Sequence, residues 1–442
     1  MLNTINDLLW GPGTLALLLG SGAFLTLRMR FLPWRRLGFA LRSALGKDSR
    51  RSETHGVSPF SALMTTLAAT IGTGNIVGVA TALVAGGPGA LVWMEFSALF
   101  GMATIFAESM LSVKYRRKNR RGEWSGGPMY VMEAAFGKRV GSALARVFAL
   151  FAVGASFGIG CMTQSNAITG ALSSSFALPV WPVGVITAAL ALAAILGGIR
   201  SISKITSVLV PAMSLFYLTA GLVVILGNLE NFIPGILSIF YCAFSPQAIA
   251  GGAAGAALRW GVARGVFSNE AGLGSTGIAA ASADTASPVR QGYINMTGAF
   301  FDTIVMCTVT GLAICCSGVL GAVDSTGALV DGAALTILAF ETVLGPLGSR
   351  FIALSIVLFA FSTIQGWEYQ GEQCFSYLTR GRGTVVYRFL YALAVLWGAG
   401  QQLDTVYLFS DVCNALMCMP NLLCVLMMHG EAVRDMRKLK WV

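Results

Sequence analysis

The sequence predicts an all-α polytopic membrane protein of about eleven spans. Three observations carry that reading. Of the 442 residues, 55% are hydrophobic and 11% charged, where a soluble domain carries about 25% charged residues. Mean hydropathy is +0.71, and the apolar residues gather into runs, most of them near the roughly twenty residues that cross a bilayer. The lysines and arginines lie mainly in loops between the runs, in alternate loops rather than evenly.

The apolar runs are 8–28, 57–84, 89–114, 140–176, 180–197, 203–227, 247–284, 291–319, 350–374, 384–400 and 403–428. The fourth and seventh are too long for one straight crossing, so each must bend, break or extend beyond the lipid. Clusters such as Arg28–Arg51 and Lys114–Arg121 place 27 of the 30 basic residues on one side. By the positive-inside rule that side is cytoplasmic, with the N-terminus outside and the C-terminus inside. A multi-pass plasma (inner) membrane protein is therefore expected. The net charge of +10 is then topological: it suits contact with membrane lipid headgroups and does not argue for nucleic acid. Two stretches read as non-spanning: 126–136, a short amphipathic piece on the cytoplasmic side, and 333–344, an outer-surface helix.

Met1–Trp10 lacks a basic region and contains Asp7, so it does not read as a cleaved signal peptide. Most of the nine cysteines sit within apolar runs and show no metal spacing; they read as small buried hydrophobes. His55 and His429 are the only histidines. With no histidine cluster, metal spacing or nucleophile motif, an enzyme is not expected.

Residues 68–76 read Ala-Ala-Thr-Ile-Gly-Thr-Gly-Asn-Ile, in the middle of span 2. Two glycines around a threonine, followed by asparagine, make poor helix sequence. Irregular backbone at membrane depth is tolerated where it is buried in protein or lines a watery cavity, so Gly72, Thr73, Gly74 and Asn75 mark a candidate solute site. A second break is expected in span 7 at Phe267, Ser268, Asn269 and Glu270. An ionisable residue at that depth is by default functional, which makes Glu270 a possible coupling carboxylate. The competing reading leaves 265–290 as a cytoplasmic loop. With span 1 peripheral, spans 2–6 and 7–11 form two sets of five, and the broken spans are the first member of each. Interrupted helices in corresponding positions of two halves point to a transporter site. The organisation is therefore 1–56 (peripheral span and basic loop), 57–227 and 228–430 (two five-helix repeats) and 431–442 (cytoplasmic tail).

Half-helix ends attract a carboxylate at exposed N–H groups and a cation at freed carbonyls. Sodium takes hard oxygen ligands; candidates are the carbonyls of Ala68 and Ile71 with the hydroxyls of Ser362 and Thr363. Such a hydroxyl pair also bonds its own helix, and both readings stay open. Gln164 in span 4 needs polar partners when buried, and a zwitterion can supply them. Trp367 lies one turn beyond Thr363 and is either a wall of the ligand site or an interfacial anchor.

Taken together, Gly72-Thr-Gly-Asn75, Gly86-Gly-Pro-Gly-Ala-Leu-Val-Trp-Met94, Phe100-Gly-Met-Ala-Thr104 with Ala107-Glu108, Gly126-Gly-Pro-Met-Tyr130 and Gly261-Val-Ala-Arg264 running into Phe267–Ser275 resemble the alanine or glycine:cation symporter family of the amino acid–polyamine–cation superfamily. The resemblance is dense over about residues 57–290. It implies a leucine-transporter-type fold, with an inverted 5+5 repeat, and uptake of a small neutral amino acid coupled to sodium, with no other cofactor. It also implies that Ala68, Ile71, Ser362 and Thr363 fall on the shared sodium site, that the main chain around Thr73–Gly74 meets the substrate carboxylate, that Asn75 lies near both, and that Phe267 and its followers form the partner break. Two positions depart from the family. Glu95 stands where another tryptophan is usual, and Ile105 where lysine is usual. Glu95, six residues into span 3, is expected to snorkel to the outer interface. Proton-coupled or glutamine-type transport is the alternative within the fold. A channel is the alternative of another class, but no selectivity ring or repeated pore motif is present.

Overall fold

The computed structural model describes residues 2–52, 56–119, 122–245, 252–401 and 404–438. His55, Arg120, Arg121, Lys440 and the 247–251 start of the seventh run lie outside them. Among the described residues the fold is helical apart from the two-residue strands Arg117–Lys118 and Trp124–Ser125. Among the described residues, six helical segments are long and apolar enough to cross a membrane: Ala90–Lys114, Pro128–Phe176, Gly198–Gly227, Pro288–Ser317, Leu347–Thr379 and Thr405–Lys438. Shorter apolar helices include Val77–Gly86, Val180–Leu196 and Thr384–Gly398.

Local chemistry sets many helix starts. Proline occupies the first turn at Pro12, Pro59, Pro128 and Pro288, where its missing N–H costs nothing. Ser58 accepts from the Ser61 N–H at 3.1 Å and Ser287 from the Arg290 N–H at 3.2 Å, each satisfying a donor the helix cannot. The run 8–28 is split by Gly11 into Leu2–Leu9 and Pro12–Arg28. Helix Pro128–Phe157 turns sharply at Gly137, φ 73°, so a short piece precedes the long fourth span, as the sequence suggests. Gly332–Leu344 is a helix, over the stretch 333–344 that reads as a non-spanning one.

Two points add to the sequence reading and one corrects it. Phe232–Phe244 forms an apolar helix between the sixth and seventh runs, a stretch to which the sequence reading assigned no element. The stretch read as a tail, 431–442, is helical as far as Lys438, and it is anchored: Lys114 Nζ pairs with Glu431 and Asp435. Glu95 does not reach outward. It accepts from the Thr308 hydroxyl at 2.9 Å, a bond to a neighbouring helix that holds it within the bundle.

Ala90–Lys114 is the central post, packed against Pro12–Arg28, Ala253–Asn269 and Pro288–Ala299. The periphery is apolar outward. On Gly198–Gly227, Val208, Leu215, Leu222 and Leu226 are all exposed at helical spacing, an arrangement suited to a lipid environment.

Candidate transport site

Span 2 is broken where its glycines fall. Helix Pro59–Thr70 ends, Ile71 and Gly72 are extended, a single 3₁₀ turn covers Thr73–Asn75, and helix Val77–Gly86 resumes. Asn75 folds back over the break, its Oδ1 accepting from the Gly72 N–H at 2.9 Å. The seventh run is broken too. Helix Ala253–Asn269 ends at Glu270, held in the left-handed region at φ 57°, and helix Ser275–Ala280 follows. Asn269 caps the turn, Oδ1 accepting from the Ala271 N–H at 3.0 Å. Left-handed backbone costs a non-glycine residue about 1–2 kcal/mol, so its surroundings must hold Glu270 there. Glu270 is buried and accepts from the Ser275 hydroxyl.

The two breaks face each other across a small chamber of about 20 Å³, room for about one water. Its walls include Gly72, Thr73, Gly74, Gln164, Phe267, Glu270, Thr363 and Trp367. Thr73 Oγ1 donates to Gln164 Oε1 at 3.3 Å, and Gln164 Nε2 donates to the Ile159 carbonyl at 2.9 Å. That carbonyl lies in the π-helical segment Gly158–Met162, and such segments recur at functional sites. Directly adjoining the chamber, and sharing Thr73, Gly74, Ile159, Gln164 and Phe267 with it, is a 650 Å³ vestibule. Arg264 and Asp411 line that vestibule from opposite helices, and Arg264 stacks over Phe267 at 5.6 Å.

The far end is latched. Val57 and Ala283 form a bridge, the Asp284 N–H donates to the Val57 carbonyl at 2.7 Å, and Ser52 Oγ donates to Asp284 Oδ2 at 2.7 Å. Arg116 donates to the carbonyls of Ala281, Ala283 and Thr285. The start of the first broken helix and the end of the second are thereby tied together.

The four residues expected at the ion site are neighbours. Ser362 Oγ lies 3.4 Å from the Ala68 carbonyl, and a Cβ on Gly72 would meet Thr363 Oγ1 at 2.6 Å. Both hydroxyls also donate to the Phe359 carbonyl of their own helix, at 2.8 and 3.1 Å, as the helix-bonding reading of the pair expects. Asn75, Ser268 and Asn269 do not line the chamber. They turn toward Pro288–Ser317, where Asp302 takes Asn75 Nδ2 at 2.9 Å and the Ser268 and Thr303 hydroxyls at 2.8 Å each.

Asp302 was missed in the sequence. It is fully buried, sits in the π-helical segment Phe300–Cys307, and links the two breaks. The rule that singled out Glu270, an ionisable residue inside an apolar run, applies equally to it. Glu108 was noted only as part of a motif, yet it accepts from Asn421 and from Thr276 at 3.2 Å and so braces the segment after the second break.

If Glu270 stays shielded, Glu270→Cys in a background lacking the partly exposed Cys242 and Cys315 should resist membrane-impermeant thiol reagents added from the cytoplasmic side. Rapid labelling in the absence of ion and amino acid would show that this break is open to the cytosol.

The family model described as "Sodium:alanine symporter family" matches residues 1–441. The chain belongs to that family. This symporter-family member is therefore a multi-pass membrane transporter rather than an enzyme. It is 45% identical to "Sodium/alanine symporter AgcS" of Methanococcus maripaludis over 436 residues, covering 98% of this chain and 96% of the relative. It is 36% identical to "Probable sodium/glutamine symporter GlnT" of Bacillus subtilis, covering 96% and 87%. Among solved structures, MhsT in complex with L-phenylalanine superposes with a TM-score of 0.61 at 14% identity, covering 88% of this chain and 93% of MhsT. That likeness speaks to the fold alone, which is leucine-transporter-like.

Proposed function

We propose that the protein carries a small neutral amino acid of the alanine/glycine class across the membrane together with sodium, by alternating access around the chamber between its two broken helices. The observation that carries this reading is the chamber itself. It is narrow, walled by Trp367, Phe267 and Ile159, and floored by the nearly bare main chain of Gly72–Gly74. Bare main chain of that kind can meet a carboxylate, and because the chamber as it stands has room for about one water, an amino acid with a short side chain enters as it opens into the adjoining vestibule. The carbonyls of Ala68 and Ile71 with Ser362 and Thr363 hold the sodium in this reading, and Gln164 contacts the zwitterion. The eleven spans, the inverted 5+5 repeat, the outside N-terminus and the cytoplasmic C-terminus belong to the same proposal. With that orientation the 650 Å³ vestibule faces outward, and the Asp284 and Arg116 latch closes the cytoplasmic end.

The relatives support sodium and an amino acid as the transported pair. GlnT favours a second reading, in which the side chain is as large as that of glutamine. Pocket size decides between the two, at about 1–3 kcal/mol per methylene.

Uptake of labelled alanine, glycine, serine and glutamine into proteoliposomes, with and without an inward sodium gradient, tests the proposal. Saturable uptake of the small amino acids should rise with the gradient. Equal uptake without sodium, or non-saturable flux, would remove sodium coupling or the symport mechanism respectively.

A further inference from the structure

A second cavity, of about 610 Å³, shares no lining residue with the chamber or the vestibule, and its walls come from stretches that the positive-inside rule reads as cytoplasmic. It is walled by the strand pair around Arg117–Lys118, by the two pieces of helix that meet at Gly137, and by the end of helix Leu347–Thr379. Four cations line it, Arg117, Lys118, Arg146 and Arg380, against one carboxylate, Glu133. Glu133 is already committed: Arg117 pairs with it at 3.0 Å and the Tyr377 hydroxyl donates to it at 2.7 Å. Lys118 stacks on Trp124 at 5.2 Å. Arg146 uses its Nε on the Ser142 carbonyl of its own helix. That leaves the guanidinium ends of Arg146 and Arg380, from different helices, facing one cavity with no carboxylate partner among the described residues. Arg380 is also left-handed, φ 56°, at a helix end where glycine or asparagine is the usual choice.

We infer that this cavity binds the phosphate headgroup of an anionic phospholipid. Planar guanidinium groups match phosphate oxygens bidentately, and two unpaired ones on separate helices can clamp a single phosphate. A lipid fits better than a soluble phosphate because of what adjoins Arg146. Val140, Val147 and Leu150 on the same helix are all exposed, and Leu150 lies one turn from Arg146 on the same face. The apolar, outward face of the helix thus runs up to the cavity mouth, and acyl chains can lie along it while the headgroup enters. The occupant would join the hinge at Gly137 to the helix that carries Ser362, Thr363 and Trp367. The inference rests on the reading of this end as cytoplasmic, where inner-leaflet anionic lipid is available.

The test is lipid retention, which is independent of transport. Wild-type protein and Arg146→Gln/Arg380→Gln are purified in detergent with equal phosphatidylglycerol and phosphatidylcholine, and bound lipid is counted by native mass spectrometry. Arg35→Gln/Arg42→Gln serves as a control with the same change in net charge at exposed positions outside the cavity. Wild type and control should retain phosphatidylglycerol preferentially. The cavity variant should lose that preference by roughly 30-fold, the change that ~1 kcal/mol per arginine converts to. Equal retention in the cavity variant, or equal loss in both variants, would overturn the site. Inorganic phosphate displacing phosphatidylglycerol at equal concentration would overturn the lipid assignment in favour of a soluble phosphate. No displacement supports the lipid.

Discussion

Gly74→Ala is expected to abolish amino acid binding while leaving the protein folded. A Cβ at this position would lie 3.7 Å from Phe267 Cδ1 and 3.8 Å from the Ser268 Cα. Those are ordinary contacts, so the substitution does not disturb packing. It does add a methyl group to a residue that borders both the chamber and the vestibule. In the proposed mechanism the main chain of this turn donates to the substrate carboxylate, and charge-assisted hydrogen bonds of that kind contribute about 1.5–3 kcal/mol each. Blocking two of them should weaken binding by roughly 100-fold or more. Binding of labelled alanine, glycine and glutamine to monodisperse protein measures this. Affinity within about threefold of wild type, under ~1 kcal/mol, would mean that the first break is not the carboxylate site.

Gly72→Ala should act on the ion instead, and through one identifiable atom. Its Cβ would sit 2.6 Å from Thr363 Oγ1 but 3.6 Å from Thr363 Cβ. The hydroxyl must move, whereas the carbon beneath it need not. If Thr363 supplies a sodium ligand, the sodium concentration for half-maximal uptake should rise by roughly tenfold or more, the range expected when a polar contact to a charge is lost. Thr363→Ala should give a similar rise. The double variant Gly72→Ala/Thr363→Ala should be no worse than Thr363→Ala, because the clashing atom is gone and the two changes act on one contact. Additive effects in the double variant would show that Gly72 works by another route. Unchanged sodium dependence in both single variants would take the pair out of the ion site.

The sequence made both breaks legible because each violates helix propensity inside an apolar run. Gly72-Thr-Gly and Phe267–Gly274 stand out against alanine- and leucine-rich neighbours. Gln164 and Trp367 were also found, since a buried amide or an indole within a span calls for an explanation. Asp302 was overlooked although its own run is equally apolar. The glycines before it, Gly292 and Gly298, are isolated rather than clustered as in Gly72-Thr-Gly, and apart from the adjacent Thr303 its partners lie in other segments, at Asn75 and Ser268. Glu95 was misplaced for a related reason. Distance along a helix suggests snorkelling, but Thr308 offers a bond that only the packed bundle supplies.

Composition and the grouping of apolar residues into long runs were sufficient to establish a membrane-embedded helical bundle, because lipid allows few other structures. Motif spacing was enough to indicate the family. What the sequence could not determine was which residues face one another. Asn75, Ser268 and Asn269 sit inside the breaks by sequence, yet they turn away from the chamber to bond helix Pro288–Ser317. Gly72 is crowded and Gly74 is not, although nothing in their local sequence distinguishes them; the difference is the position of Thr363, nearly three hundred residues later. Helix propensity and hydropathy are local properties. The chamber, the latch and the arginine-lined cavity arise from contacts between segments distant in sequence, and only the tertiary structure sets those contacts.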